Sequence, residues 1–167
     1  MSTATLVSME EYLATSYRPD CDYVDGVVVD RNVGLRNHSS ALGAILSWFR
    51  HLPVAAFPAQ RVQLSRNRCR VPDICVVRLP EPDEQVFTQP PYICIEVLSP
   101  EDTFTGLQER FDDYLAMGVP NLWVIDPASR RGWRITSEGY LEARDGCLRT
   151  HDNHVSLPIA ELFITDD

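Results

Sequence analysis

Lysine is missing altogether: all 15 basic residues of the 167-residue chain are arginines. No step of any reaction here can use a lysine amine, and every permanent positive charge is a guanidinium that stays protonated. The five cysteines, Cys21, Cys69, Cys75, Cys94 and Cys147, are widely spaced and form no CxxC pair, so neither a disulfide framework nor a zinc ribbon is indicated. No run approaches the roughly 18 apolar residues of a membrane span. The N-terminal MSTATLVSMEEYLATS lacks both a basic start and a hydrophobic signal core, which points to a cytoplasmic protein with no membrane partner. A Gly-rich phosphate loop, a G-x-S-x-G elbow and a dinucleotide fingerprint are also absent. Positive charge is in short supply overall, since the net charge of −9 argues against a general nucleic-acid coat. One local exception is RVQLSRNRCR, which carries Arg61, Arg66, Arg68 and Arg70 without an acid.

What is present is ordinary globular material, 44% hydrophobic and 23% charged, enough for one domain spanning 1–167. Ser8-Met9-Glu10-Glu11 has the form of a capping box and predicts a short opening helix. DYVDGVVVDR reads as a strand or hairpin turning at Asp25-Gly26. In NHSSALGAILSWFRHL, Leu42, Ile45, Leu46 and Phe49 make one apolar helix face, with Asn37 as the expected cap. VAAFPAQRVQLS and RVPDICVVRLP read as two strands joined by the arginine-rich turn. PPYICIEVLSP is a strand buried on both faces. GLQERFDDYLAMG is a second helix with Leu107, Phe111, Tyr114 and Leu115 on one face, stopping at Gly118. NLWVIDP is another buried strand, RRGWRIT and GYLEAR a closing β-hairpin, and VSLPIAELF docks the C-terminus. The order predicts an α/β (mixed α+β) fold, one mixed sheet with helices packed on it.

Glu96 inside Ile-Cys-Ile-Glu-Val raises the chemical question, because an ionised carboxylate in such a strand costs several kcal/mol unless it is met by positive charge. Strand alternation gives Asp73 a face with Cys75 and Val77, and Glu96 a face with Cys94 and Leu98. Two acids on adjacent strands either raise a pKa or share a cation, and Mg²⁺ accepts two carboxylates plus a backbone carbonyl, here that of Val97. The alternative partner is a structural arginine. Arg110, one turn before Tyr114 on the second helix, is the natural one for Glu96 or Asp73. His151 and His154 are a weak zinc pair with no third ligand at regular spacing.

These residues stand in a recognisable series: SMEEYLA, CDYVDG, His38 at the head of the first long helix, VPDICVV, ICIEVLSP, YLAMGVPNLWVIDP and LPIAELF. In that order they resemble the bacterial Uma-two family of endonucleases, within the PD-(D/E)XK restriction-endonuclease-like superfamily. The resemblance implies a restriction-endonuclease-like core sheet flanked by helices and a site where Asp73 and Glu96 hold Mg²⁺, or Mn²⁺ in its place, against a DNA phosphodiester. Asp22 would be a third, outer ligand. The superfamily lysine is replaced by Leu98 after the glutamate, and the lysine usual on the following helix by Arg110, which keeps the charge but cannot act as a base. Gln108 could orient the water, and Arg66, Arg68 and Arg70 could guide the DNA backbone. His38 reads as a packed or capping residue. By analogy with the superfamily the chain could form a homodimer. The rival function is a catalytically degenerate nuclease fold acting as a binding or oligomerising module, with Arg110 and Glu96 as a buried ion pair.

Overall fold

The computed structural model describes residues 5–32 and 34–163. Helix α1 (Met9–Ala14) starts as its capping pattern predicts, with Ser8 Oγ accepting the Glu11 N–H at 3.1 Å. Strands β1 (Asp22–Val24) and β2 (Val27–Val29) form a hairpin whose turn residues Asp25 and Gly26 both have positive φ, 50° and 90°. Helix α2 (Arg36–Phe49) begins two residues earlier than an Asn37 cap implies. Leu35 is its N-cap, no side chain caps it, and Asn37 lies exposed within the first turn.

The segment read as two strands is four: β3 (Val54–Pro58), β4 (Val62–Ser65), β5 (Arg68–Arg70) and β6 (Ile74–Arg78). The breaks have local causes. Pro58 lacks an N–H to continue the ladder, Ala59 turns away at φ 49°, and Pro72 interrupts the run between β5 and β6. The two halves therefore leave for different sheets. Strands β4 and β5 join the first hairpin in the order β2-β1-β5-β4, while β3 and β6 enter the central sheet.

That sheet continues through β7 (Ile93–Val97), β8 (Asn121–Asp126), β9 (Arg131–Thr136) and β10 (Gly139–Glu142), in the order β10-β9-β8-β7-β6-β3. Strands β7 and β8 are parallel, connected over the sheet by helix α3 (Phe104–Met117), and the other neighbours are antiparallel. Helix α3 is capped by Thr103 and closes on Gly118 in the left-handed conformation. A last pair, β11 (Cys147–Arg149) and β12 (Ser156–Pro158), leads into a short 3-10 helix, Ile159–Phe163.

Parity along the strands divides the core. Ile74, Val76, Ile93, Ile95 and Trp123 point to one side, against Ala41, Ile45 and Phe49 of α2 and the C-terminal Leu148 and Leu157. Cys94, Leu122 and Val124 point to the other, against Phe111 and Tyr114 of α3. The acids sit on this second side. The architecture is a mixed sheet flanked by helices, consistent with a restriction-endonuclease-like fold. Phe49 is buried on α2 at the centre of the first layer. Phe49→Ala should cost about 3–5 kcal/mol, read as a lower urea midpoint with little change in slope.

Candidate active site

Strand β6 pairs with β7 in the register Ile74↔Ile95 and Cys75↔Cys94. One further step along that register sets Asp73, just before β6, opposite Glu96 near the end of β7. Both side chains are buried, Glu96 to 1% exposure. Asp73 borders a niche of about 10 Å³ lined also by Arg31, Asn32, His38, Val97, Ser99, Asp102 and Arg110, about the volume that one water molecule needs; Glu96 does not line it and is linked to it through Arg110.

Glu96 Oε1 accepts the Tyr114 hydroxyl at 2.7 Å and Oε2 accepts Arg110 Nη1 at 3.1 Å. Arg110 Nε lies 3.4 Å from Asp22 Oδ2, so one guanidinium serves two acids. Asp22 is fully buried on β1 and is held further by Arg70 Nη1 at 3.0 Å and by the Val71 N–H at 2.8 Å. Arg70 Nε reaches Asp113 of α3 at 2.7 Å, and Arg68 donates to Asp113 and to Asp25. Asp73 has its own partners. Its Oδ2 accepts the Val97 N–H at 2.8 Å and faces His38 Nε2 at 3.3 Å, while Oδ1 accepts Arg31 Nη2 at 2.6 Å.

The two opposed acids differ electrostatically. Burial pushes Glu96 up to about 7, and the Asp73 charge adds to the rise against the pull of Arg110, Arg31 and the Tyr114 hydroxyl. Burial also presses Asp73 upward, but His38, Arg31 and the Val97 amide outweigh it and hold that carboxyl below its ordinary value. Glu96 is therefore raised despite its Arg110 partner, whereas Asp73 is held in its charged form.

The structure brings Asp73, Val97 and Arg110 around one niche, with Glu96 and Asp22 both held by Arg110. Gln108 lies elsewhere: its Nε2 donates to Asp112 and its Oε1 accepts the Tyr140 hydroxyl, on the exposed side of α3. Of the turn arginines, Arg66 is exposed, whereas Arg68 and Arg70 are engaged with acids of this same network. His38 is buried, but against Asp73 rather than at a helix cap. His151 bonds Asn121 and His154 faces Asp152. Arg31 and Tyr114 are the residues that sequence reasoning did not place here. Tyr114 reads as a member of an apolar stripe, and Arg31 lies between elements where no periodicity marks it.

The donor types suit a hard divalent cation: the Asp73 and Glu96 carboxylates, and a backbone carbonyl for which Val97, on the niche lining, is the candidate. Two observations fit such an ion. The Arg31 guanidinium already lays positive charge on Asp73 as a stand-in, and the Glu96 carboxyl is raised despite Arg110. Among the described residues no three His, Cys, Asp or Glu side chains converge closely enough to hold a metal by themselves, so the carbonyl and water would complete the shell.

Because native Glu96 keeps its proton up to about 7, while an unfolded glutamate gives it up near 4.5, the native state binds more protons between those values. Its contribution to stability therefore falls as pH rises through that window. In EDTA, Glu96→Gln should gain on the wild type by about 3 kcal/mol between pH 4.5 and 8, compared by urea denaturation at each pH. A constant difference would place Glu96 among ordinary carboxylates.

The model of the Uma2 family, described as "Putative restriction endonuclease", matches residues 9–160. Among solved structures, the chain is similar to one described as "a putative nuclease belonging to DUF820 from Anabaena variabilis ATCC 29413". The TM-score is 0.79 at 21% identity, over 94% of this chain and 97% of that one. At that identity the likeness is one of fold. No curated protein matches the chain.

Proposed function

The chain belongs to the Uma2 family of restriction-endonuclease-like proteins, and we propose from that membership and from the niche that it is a Mg²⁺-dependent DNA endonuclease. The observation that carries the reading is the pair Asp73 and Glu96, both buried and opposed in register at neighbouring strand ends, with burial and the Asp73 charge raising the Glu96 carboxyl.

Asp73, Glu96 and the Val97 carbonyl would hold the ion. When bound, such an ion neutralises charge on a phosphodiester and acidifies water. The remaining work falls to the chain's own groups. Val97 N–H and His38 fix one oxygen of Asp73 and so its orientation. Tyr114 and Arg110 do the same for Glu96, setting both carboxylates before substrate arrives. Arg110 is held permanently charged by Glu96 beside it and is partly open to the niche, where it can meet a developing phosphoryl charge but not take up a proton. Arg66, exposed at its turn, is available to the DNA backbone, whereas Arg68 and Arg70 support the site from behind.

A second reading has its own observation in favour: each of the three acids already has an arginine, Arg31 on Asp73, Arg110 on Glu96 and Arg70 on Asp22. On that reading the fold is a binding or oligomerising module derived from a nuclease. Plasmid cleavage separates the two. Wild-type protein at low salt should nick supercoiled DNA with Mg²⁺ or Mn²⁺ and not in EDTA, and Asp73→Asn should lower the rate by at least about a hundredfold. Metal-independent nicking, or nicking equal in the variant, would refute the assignment of Asp73. No cleavage by a folded wild type with either ion would favour the module.

A further inference from the structure

The two oxygens of Asp73 are held in different ways. Oδ2 is fixed by the scaffold, through the Val97 N–H of β7 and His38 of α2. Oδ1 faces the niche and is met by Arg31 Nη2 at 2.6 Å. Arg31 is a different kind of arginine from Arg70 and Arg110. Those two each bridge a pair of acids, Asp22 with Asp113 and Asp22 with Glu96, and so tie strands to a helix. Arg31 lies between β2 and α2, outside any helix or strand, and its Nε is buried without a hydrogen-bond partner. The neighbouring Asn32 reaches across to Asp102 at 2.8 Å. A guanidinium and a divalent ion held on the same oxygen would stand a few ångströms apart and repel each other.

We propose that Arg31 is an exchangeable internal cation, which neutralises Asp73 in the metal-free protein and must leave Oδ1 before a divalent ion can bind there. The inference rests on the metal reading of the site and adds to it how the site is regulated. Exchange replaces one positive charge with two beside the opposed acids Asp73 and Glu96. The gain favours the ion, and the loss of the Arg31 contact opposes it. Metal affinity is then set by a competition inside the chain, and binding is coupled to release of the segment that carries Arg31.

Calorimetric titration of Mn²⁺ into the full chain tests this with a readout independent of cleavage. Arg31→Gln should bind about tenfold more tightly than wild type, and Asp73→Asn should not bind. Equal affinity in wild type and Arg31→Gln, or weaker binding in the variant, overturns the exchange and leaves the metal site standing. Binding by neither overturns the exchange and the metal reading together. Should Arg31→Gln fail to fold, the wild type decides alone, through the Nε–H resonances of its arginines during a Mg²⁺ titration. The Arg31 signal should move toward that of a solvent-exposed arginine while Arg70 stays. An unmoved Arg31 signal at saturating metal overturns the proposal.

Discussion

A carboxylate in the middle of a buried strand sets the terms for this structure. Glu96 is enclosed by the central sheet and α3, and the positive charge that answers it comes from Arg110, which leans at the same time on Asp22 of the small sheet. Asp22 in turn needs Arg70, Arg70 reaches Asp113 back on α3, and Arg68 extends the series to Asp25. The result is an alternating ladder of charges that runs between two sheets and one helix. Every guanidinium in it touches two acids. A fork with several fixed donors can do this, where a lysine ammonium offers a compact point charge. The complete absence of lysine is thus compatible with a charged interior, and the small sheet is held on α3 by ions as much as by apolar contact.

The same ladder limits which side chains remain available for chemistry. Arg68 and Arg70 belong to it and orient Asp22. Arg110 belongs to it but borders the niche, so it is both a strut and a charge that a ligand can meet. Asp73 stands outside it, with partners drawn from α2, β7 and the segment before α2. The site is accordingly a rigid carboxylate, Glu96, opposite one whose second oxygen is held from a segment outside the regular elements.

Much of this was legible in the sequence, for definite reasons. The run 93–97 is apolar at every position but one, so the strand and its anomaly are seen together. Helix α3 carries its stripe and its Gly118 stop in sequence, and strand parity alone placed Asp73 and Glu96 toward one side. The division of 54–78 into four strands for two sheets was not legible, because the breaks at Ala59 and Pro72 are corners whose direction depends on what they pack against. The α2 start shifted by two residues because Leu35, not Asn37, is the N-cap, in the absence of any side-chain bond to decide it. The arginine-rich turn reads as a basic patch only while its partners are unknown. Asp113 and Asp22 lie more than 40 residues away from Arg68 and Arg70 respectively, and no local pattern announces such pairing. Arg31 is hidden for the same reason.

The two sides of the central sheet are built from different forces. Toward α2 the contact is almost entirely aliphatic and aromatic, whereas toward α3 it includes the charged ladder. Apolar burial weakens on cooling, while the cost of keeping charges out of water falls on warming. Both seams therefore lose strength on cooling, for different reasons: the α2 layer because apolar burial fades, the α3 layer because its buried charges then cost more to keep out of water.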